Sequence, residues 1–473
     1  MSGRYYFVGG NMKQEILQRF IKLIDSGCIT IPFAVCWFFY YGDKVVSPYY
    51  NRGNWLIIFL FFILYSLLGK LYQAYLVSIF RISEIIYSQI LSAFLANAIL
   101  YIIICLLTKN FPNIFPLLLA FLAQIAIASV WTTWTNHWYF KTHKPKATAI
   151  IYDTRVDLKN LIISSGLKKY DVQITVNIRE CIANISMLEN MKMIFLTDIS
   201  SHERNIIIKY CIGNGIPVML IPRIGDTLMS SAMPIHMFHL PMLSITRYRA
   251  TPEYLFVKRF FDIFLSGIAL IILSPVFILT AIAVKSDGGP AFYKQIRLTK
   301  DGKKFNLVKF RSMKVDAEKD GVARLSTGTA DDRITKVGRF IRKVRIDELP
   351  QIWLIFIGQM SLVGPRPERP EIANQYEKYL PEFKLRLQAK AGLTGYAQVY
   401  GKYNTTPYDK LQMDLMYIAH PSLAEDAKII LATIKILFIK ESTEGVAEGQ
   451  TTAEAGKPEI EESVGQESVR KTV

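Results

Sequence analysis

The residues best suited to chemistry lie between Lys309 and Val399 of this 473-residue chain. Lys309-Phe310-Arg311-Ser312-Met313 places two cations two residues apart, on one face if the segment is a strand. Lys336, Arg339, Arg342, Lys343 and Arg345 interleave with Val337, Phe340, Ile341 and Val344 at helical spacing, which predicts a basic amphipathic helix suited to a membrane surface. Directly after it, Arg345-Ile346-Asp347-Glu348-Leu349-Pro350-Gln351 sets adjacent carboxylates in a strongly basic neighbourhood. Alone, such a pair reads as a solvated surface feature. Here it precedes Met360-Ser361-Leu362-Val363-Gly364-Pro365-Arg366-Pro367-Glu368 and Gly392-Leu393-Thr394-Gly395-Tyr396-Ala397-Gln398-Val399. The region is dense in residue types that bind phosphate, where cations supply charge-assisted hydrogen bonds.

These groups must be held near a membrane. The chain is 51% hydrophobic, and Ile21 to Tyr41, Trp55 to Leu76, Ile85 to Leu107 and Ile114 to Phe140 each reach the length needed to cross a bilayer. Residues 1–146 are therefore expected to be a four-helix transmembrane domain. Arg4, Lys13, Arg19 and Lys22 before the first helix, Lys70 and Arg81 near the second turn, and Lys141, Lys144 and Lys146 after the fourth predict both ends on the cytoplasmic side. Trp131, Trp134, Trp138 and Tyr139 cluster where rings favour the headgroup level. Asp25 lies one turn from Lys22, within reach of a partner and water, and reads as structural.

From Ala147 to Ile245 short apolar strands alternate with helical stretches, predicting a Rossmann-like α/β domain over 147–245. A dinucleotide site would need Gly-x-Gly-x-x-Gly after the first strand, so that backbone N–H groups could approach a diphosphate. That turn reads Asp153-Thr154-Arg155-Val156, without glycine and with a repelling carboxylate, so a spacer or regulatory domain is the expectation.

Ile263 to Val284 is long enough to cross again, yet both flanks carry the cytoplasmic signature. Lys258 and Arg259 precede it, and Lys285, Lys294, Arg297, Lys300, Lys303 and Lys304 follow. Ser274-Pro275 stands in the middle, where proline removes an N–H and bends a helix. This predicts a re-entrant membrane helix over 258–285 that breaks at Ser274-Pro275 and returns to the same face, the Ser274 hydroxyl satisfying a freed carbonyl.

The ordered set Lys-Arg, Ser-Pro, Lys-Phe-Arg-Ser-Met, Asp-Glu-Leu-Pro-Gln, Gly-Pro-Arg-Pro-Glu and Gly-Leu-Thr-Gly resembles the bacterial sugar transferases, the polyprenyl-phosphate glycosylphosphotransferases. The resemblance covers Lys258 to Phe438, and the front half resembles, in layout alone, the large members that initiate capsule, exopolysaccharide or O-antigen synthesis. It implies a C-terminal catalytic α/β domain over 255–440 that moves sugar 1-phosphate from a UDP-sugar to undecaprenyl phosphate, releasing UMP. By the family pattern Asp347 attacks the phosphate attached to the sugar, giving a phosphosugar-aspartyl enzyme, and Glu348 takes Mg²⁺. Adjacency suits Mg²⁺, which keeps several waters and needs one or two carboxylates beside substrate oxygens. Arg366, restricted by flanking prolines, suits a bidentate clamp on the transferred phosphate. Arg342 would orient the nucleophile or meet a diphosphate oxygen, and Lys309 and Arg311 are candidates for the same cradle. Lys258 and Arg259 would stand at headgroup depth where the lipid phosphate arrives, or act as simple anchors. The location implied is the bacterial inner membrane, multi-pass, with the catalytic domain cytoplasmic.

Charge and cysteine usage agree with this class. Lys+Arg 56 against Asp+Glu 39 leaves +17, which in so apolar a chain points to anionic lipid or phosphate and not to nucleic acid. Cys28, Cys36, Cys105, Cys181 and Cys211 have no paired spacing and read as reduced thiols. Residues 441–473, rich in Glu, Gly, Ser and Thr, predict a disordered acidic tail. Two rivals are a membrane-tethered nucleotide-sugar dehydratase, which would need a glycine-bearing dinucleotide motif that is missing from the second half, and a non-enzymatic lipid-binding scaffold. Monomer and homo-oligomer both stay open.

Overall fold

Long apolar runs fold as helices because, without water, only a helix or a closed barrel satisfies its own backbone. A computed structural model describes residues 12–46, 52–77, 80–153, 158–164, 169–247, 250–286, 288–315, 333–401 and 405–437. The expected acidic tail lies outside the described residues, as does the glycine-less turn from Thr154 to Val156. The chain forms two compact units, Met1–Pro222 and Arg223–Val473.

The first unit opens with α1 (Met12–Cys36), α2 (Arg52–Leu71), α3 (Ile82–Thr108) and α4 (Phe115–Thr142). Among the described residues these four helices, α1 with its continuation to Lys44, are each long and apolar enough to cross a membrane, as the sequence predicts. Phe33, Trp37, Phe61, Tyr65, Leu100 and Ile104 fill the bundle interior, while Phe59, Ile102, Leu106, Leu122 and Val130 face outward and are exposed. Apolar residues on all sides suit a lipid solvent. Asp25 is buried and does not turn to Lys22. It accepts from Tyr65 Oη on α2 and Gln89 Nε2 on α3, each at 3.1 Å. Thr132 of α4 donates to Gln89 Oε1 at 2.9 Å. A buried carboxylate is thereby satisfied by neutral donors, and the chain of bonds links all four helices.

β1 (Lys146–Tyr152), α5 (Leu158–Ser164), β2 (Tyr170–Asn177), α6 (Ile178–Ala183), β3 (Met193–Thr197), α7 (Ser201–Gly213) and β4 (Val218–Leu220) follow. The strands form one parallel sheet in the order β2-β1-β3-β4. Ala149, Ile151, Ile194 and Leu196 bury against Ile178 and Ile207, which is why the strands read as apolar runs. The expected helix from Val156 to Lys168 is described only over Leu158–Ser164.

The second unit begins with α8 (Ile224–Ser230) and the hairpin β5 (Met233–Met237) and β6 (Leu240–Ser244). Ile224 packs on the core of Leu411, Leu415 and Phe383. α9 (Pro252–Ile272) and α10 (Ser274–Lys285) are bent by 62° at Leu273. Pro275 occupies the first turn of α10, where its missing N–H costs little, and Ser274 Oγ donates to the Ile271 carbonyl at 2.8 Å. β7 (Phe292–Leu298) and β8 (Lys304–Phe310) form an antiparallel hairpin. Then come α11 (Lys336–Lys343), α12 (Gln351–Phe356), β9 (Ser361–Val363), α13 (Pro370–Tyr379), β10 (Gly392–Thr394), α14 (Tyr396–Tyr400), α15 (Pro407–Ala419) and α16 (Leu423–Leu437). β9 and β10 pair in parallel. The glycines of both motifs serve this pairing: a Cβ at Gly364 would strike the Lys390 carbonyl oxygen, and one at Gly392 would strike the Gly364 nitrogen.

Candidate active site

The basic helix predicted around Thr335 to Arg345 is α11, capped by Thr335 Oγ1, which accepts from the Gly338 N–H at 2.9 Å. It ends abruptly because Arg345 adopts a left-handed backbone with φ 56°. A side-chain-bearing residue in that region stores local strain. The reversal starts a tight 3-10 turn, Ile346–Glu348, that carries both carboxylates.

Glu348 Oε1 accepts from Lys309 Nζ at 2.7 Å and from Arg366 Nη2 at 2.9 Å. Lys309 comes from the end of β8 and Arg366 from the loop after β9, so three separate elements meet at one carboxylate. Burial would raise the Glu348 pKa, but Lys309 and Arg366 outweigh it and hold the group well below the usual carboxylate range. Asp347 differs. It is only 9% exposed, yet its carboxylate has no hydrogen bond or ion pair among the described residues. Burial pushes its pKa up, opposed by Lys309, and the neighbouring Glu348 adds to the rise. Arg342 and Arg366 also act on it electrostatically. Arg342 Nη1 is enclosed without a hydrogen-bond partner. The site thus holds a carboxylate with unused oxygens and an arginine with an unused donor, both near Lys309 and Arg366.

A second set of charges lies behind Arg366. Arg386, 2% exposed, donates from Nη2 to the Arg366 carbonyl at 2.8 Å. Asp414 Oδ2 lies 2.8 Å from Arg386 Nε and 2.6 Å from Nη2. Glu368 takes Lys410 at 2.9 Å, Arg386 at 3.6 Å and Arg297 at 3.8 Å. Burial would raise Glu368, but Lys410 and Arg386 bring it down to about 2. Arg297 also donates to the Pro367 carbonyl at 3.0 Å. The Pro-Arg-Pro segment is therefore gripped from both sides, which restricts where the Arg366 guanidinium can point. Arg386 and Lys410 escaped the sequence reading, having no motif around them, and Arg297 was read there only as a basic flank of the apolar segment. Asp414 and Tyr417 both lie on α15: the first holds Arg386, and the second donates to Asp426 at 2.8 Å.

Several expected neighbours lie elsewhere. Arg311 does not share the face of Lys309: β8 ends at Phe310, and Arg311 turns inward to donate to the Val284 carbonyl at 2.9 Å. Lys258 pairs with Asp426 at 2.8 Å and donates to Tyr417 Oη at 3.2 Å. Arg259 donates to the carbonyls of Ile355 and Phe356, both at 2.7 Å, closing the end of α12. None of the three touches the Asp347–Glu348 turn. Asp262, one turn further along α9, accepts from the Leu362 N–H at 2.9 Å and pins α9 to β9.

Among the described residues no group of three or more His, Cys, Asp or Glu side chains converges to hold a metal. A hard cation that keeps its waters does not need one. Glu348 offers the oxygen donor type such a cation takes, with its Oε1 engaged by Lys309 and Arg366 in this structure.

The family described as bacterial sugar transferase matches residues 253–440, which contain this cluster. Galactosyl transferase CpsE of Streptococcus agalactiae is 44% identical over 197 residues, 40% of this chain and 43% of that protein. The UDP-N-acetylgalactosamine-undecaprenyl-phosphate N-acetylgalactosaminephosphotransferase of Aeromonas hydrophila is 36% identical over 227 residues, 47% of this chain and 52% of that protein. The chain spans about half the length of these two relatives. The UDP-glucose:undecaprenyl-phosphate glucose-1-phosphate transferase of Caulobacter vibrioides is 37% identical over 187 residues, 38% of this chain and 69% of that protein. With its charged turn, its Pro-Arg-Pro clamp and its bent apolar helix pair inside the matched segment, the chain belongs to the bacterial sugar transferase family.

Proposed function

We propose that this protein transfers sugar 1-phosphate from a UDP-sugar to undecaprenyl phosphate, releasing UMP and leaving undecaprenyl-diphospho-sugar, the first membrane step of an extracellular polysaccharide. The observation that carries the reading is the Asp347 carboxylate, enclosed, without a hydrogen bond or ion pair among the described residues, and acted on by Lys309, Arg342 and Arg366. The names of two relatives, which pair undecaprenyl phosphate with a UDP-sugar, support the donor and acceptor classes.

In the first half-reaction an Asp347 oxygen attacks the phosphorus attached to the sugar. The bond from that phosphorus to the UMP oxygen breaks, UMP leaves, and a phosphosugar-aspartyl enzyme remains. In the second, an oxygen of undecaprenyl phosphate attacks the same phosphorus and the Asp347 carboxylate departs. Phosphoryl transfer asks the protein chiefly for position and charge. Arg366, held by its gripped loop, and Arg342, with its unused donor, neutralise the equatorial oxygens. Lys309 and Arg366 are committed to Glu348 in the free protein and are the cations that an arriving diphosphate would draw away. Glu348, with Asp347 beside it, is the residue that would hold Mg²⁺, whose charge lowers the repulsion between a carboxylate and a diphosphate when bound.

The bend at Leu273 is read as a re-entrant helix, so that α9 and α10 enter and leave one leaflet of the bacterial inner membrane and the active site stays on the cytoplasmic face with the soluble donor. The basic flanks of this segment support that reading. Lys258 and Arg259 then serve by fastening α9 to α16 and α12, setting the depth of the helix.

The test is UMP release from a panel of UDP-sugars by detergent-purified protein with Mg²⁺, with and without undecaprenyl phosphate, for the parent and Asp347→Asn. Lipid-dependent release with the parent is expected, together with a sugar-phosphate mass increase on the Asp347 peptide when the acceptor is withheld. Turnover surviving in Asp347→Asn would sink the mechanism.

A further inference from the structure

A cavity of about 630 Å³ opens in the second unit, lined by none of Asp347, Glu348, Lys309, Arg342 or Arg366. It sits where the start of α9, the turn between β7 and β8, the segment before β10 and the end of α15 meet. Its wall carries Arg247, Lys258, Arg259, Lys300 and Lys390 against one lining carboxylate, Asp301. The turn bearing Lys300 stands at the opposite end of the hairpin from Lys309, roughly 15–20 Å away along β8.

The bookkeeping of charge leaves a surplus. Asp301 pairs with Arg247 and Asp426 with Lys258. Arg259 and Lys390 have no carboxylate ion pair among the described residues and rest on carbonyls at the end of α12: Ile355, Phe356 and, for Lys390, Gly358 at 2.9 Å. The Lys300 ammonium has no hydrogen bond or ion pair among the described residues. Lys390 is pushed below the usual lysine range by burial and then by Arg259, with Lys300 and Lys258 adding to the effect while Asp262 opposes it. Like charges held together beside a cavity are relieved by an anion. Leu255, Val363, Ile418, Tyr254 and Tyr417 give the same cavity an apolar wall. Leu255 and Phe256, at the start of α9, are exposed on that helix.

We infer that this cavity is a second anion site, separate from the Asp347 cluster, that takes a phosphate group through Lys300, Lys390 and Arg259. The phosphate comes from an anionic phospholipid headgroup or from a free phosphate; the chemistry of recognition is the same. This site does not depend on the phosphotransfer reading, because its residues touch none of the reacting groups.

The experiment uses the full chain in detergent. Binding of phosphatidylglycerol, with phosphatidylcholine as the neutral control, is followed by native mass spectrometry, and inorganic phosphate is titrated by calorimetry. The parent is compared with Lys300→Glu, with Lys300→Glu/Lys390→Gln, and with Asp347→Asn/Arg366→Ala. The double variant of the cavity should weaken binding at least tenfold, and Lys300→Glu alone, on an exposed turn, about threefold. Asp347→Asn/Arg366→Ala should bind as the parent does. Phosphatidylglycerol held without inorganic phosphate binding assigns the headgroup, and inorganic phosphate binding assigns the free anion. Equal binding by parent and cavity variants, no binding of either probe, or loss in Asp347→Asn/Arg366→Ala would overturn the inference. UMP release, measured on the same samples, separates this result from the fate of the Asp347 mechanism.

Discussion

The turn at Asp347–Glu348 and the network behind Arg366 are built from the same residue types at similar burial, yet they end in opposite states. Behind Arg366 every acid meets a base: Asp414 holds Arg386, and Glu368 holds Lys410. At the turn, Glu348 takes both close cations and Asp347 is left without a partner among the described residues. A fully paired buried network contributes rigidity, whereas an enclosed, unpaired carboxylate costs stability and is retained where it can react. One domain thus sets a paired acid apart from an unpaired one not by residue type, but by which acid the cations choose.

Substitutions at the two places should therefore fail differently. The largest effect is expected for Asp347→Asn, which removes the proposed nucleophile and should lower UMP release on the order of 10⁴-fold or more. Its fold should not suffer. The folded-state pKa of Asp347 is raised, so its contribution is favourable below the unfolded pKa and lost as pH rises through the folded one. At neutral pH the charged group is a burden, and thermal denaturation of Asp347→Asn should occur at or slightly above the parent temperature. A clear loss of melting temperature would break the comparison.

Asp414→Ala should do the reverse. It leaves Arg386 buried without its main partner, at a cost of about 3–5 kcal/mol in stability, read from thermal or denaturant unfolding. Activity should fall through a higher KM as Arg366 loses its support, and Asp414→Glu should recover part of it. An Asp414→Ala protein that melts like the parent would show that the network is not the scaffold.

A smaller effect sharpens the contrast in pH. The proposed mechanism requires Asp347 ionised, so kcat/KM should drop on acidification at a pH above the ordinary aspartate range. Glu368 behaves oppositely: its folded pKa is about 2, so its stabilisation is complete above the unfolded carboxylate pKa and disappears as pH falls towards 2. Activity should thus fail at mild acidity while the fold persists. The smallest change is expected for Tyr417→Phe. It removes bonds to Asp426 at 2.8 Å and Lys258 at 3.2 Å and should cost about 1 kcal/mol.

Much of the fold was legible along the chain. Four apolar runs became four helices because hydrophobic length is a local property, and β1, β2 and β3 matched their apolar runs for the same reason. Ser274-Pro275 marked the bend because proline acts on its own backbone. Partners of long side chains were not legible. Lys309 and Arg311 looked equivalent by alternation, but the strand stops between them and one turns to Glu348, the other to Val284. Lys258 and Arg259, read as anchors or lipid-phosphate ligands, meet acids and carbonyls about 100 residues or more away in sequence. Arg386 carried no sign of its place beneath Arg366.

By itself, then, the sequence determined which segments are apolar, where helices start and break, and which stretch carries phosphate chemistry, because each of these is set by residues near one another in the chain. Only the tertiary structure decided which carboxylate stays unpaired, which arginine is gripped, and where cations accumulate beside a cavity. Ion pairing is a contest among all charges brought within a few ångströms, and folding alone chooses the competitors.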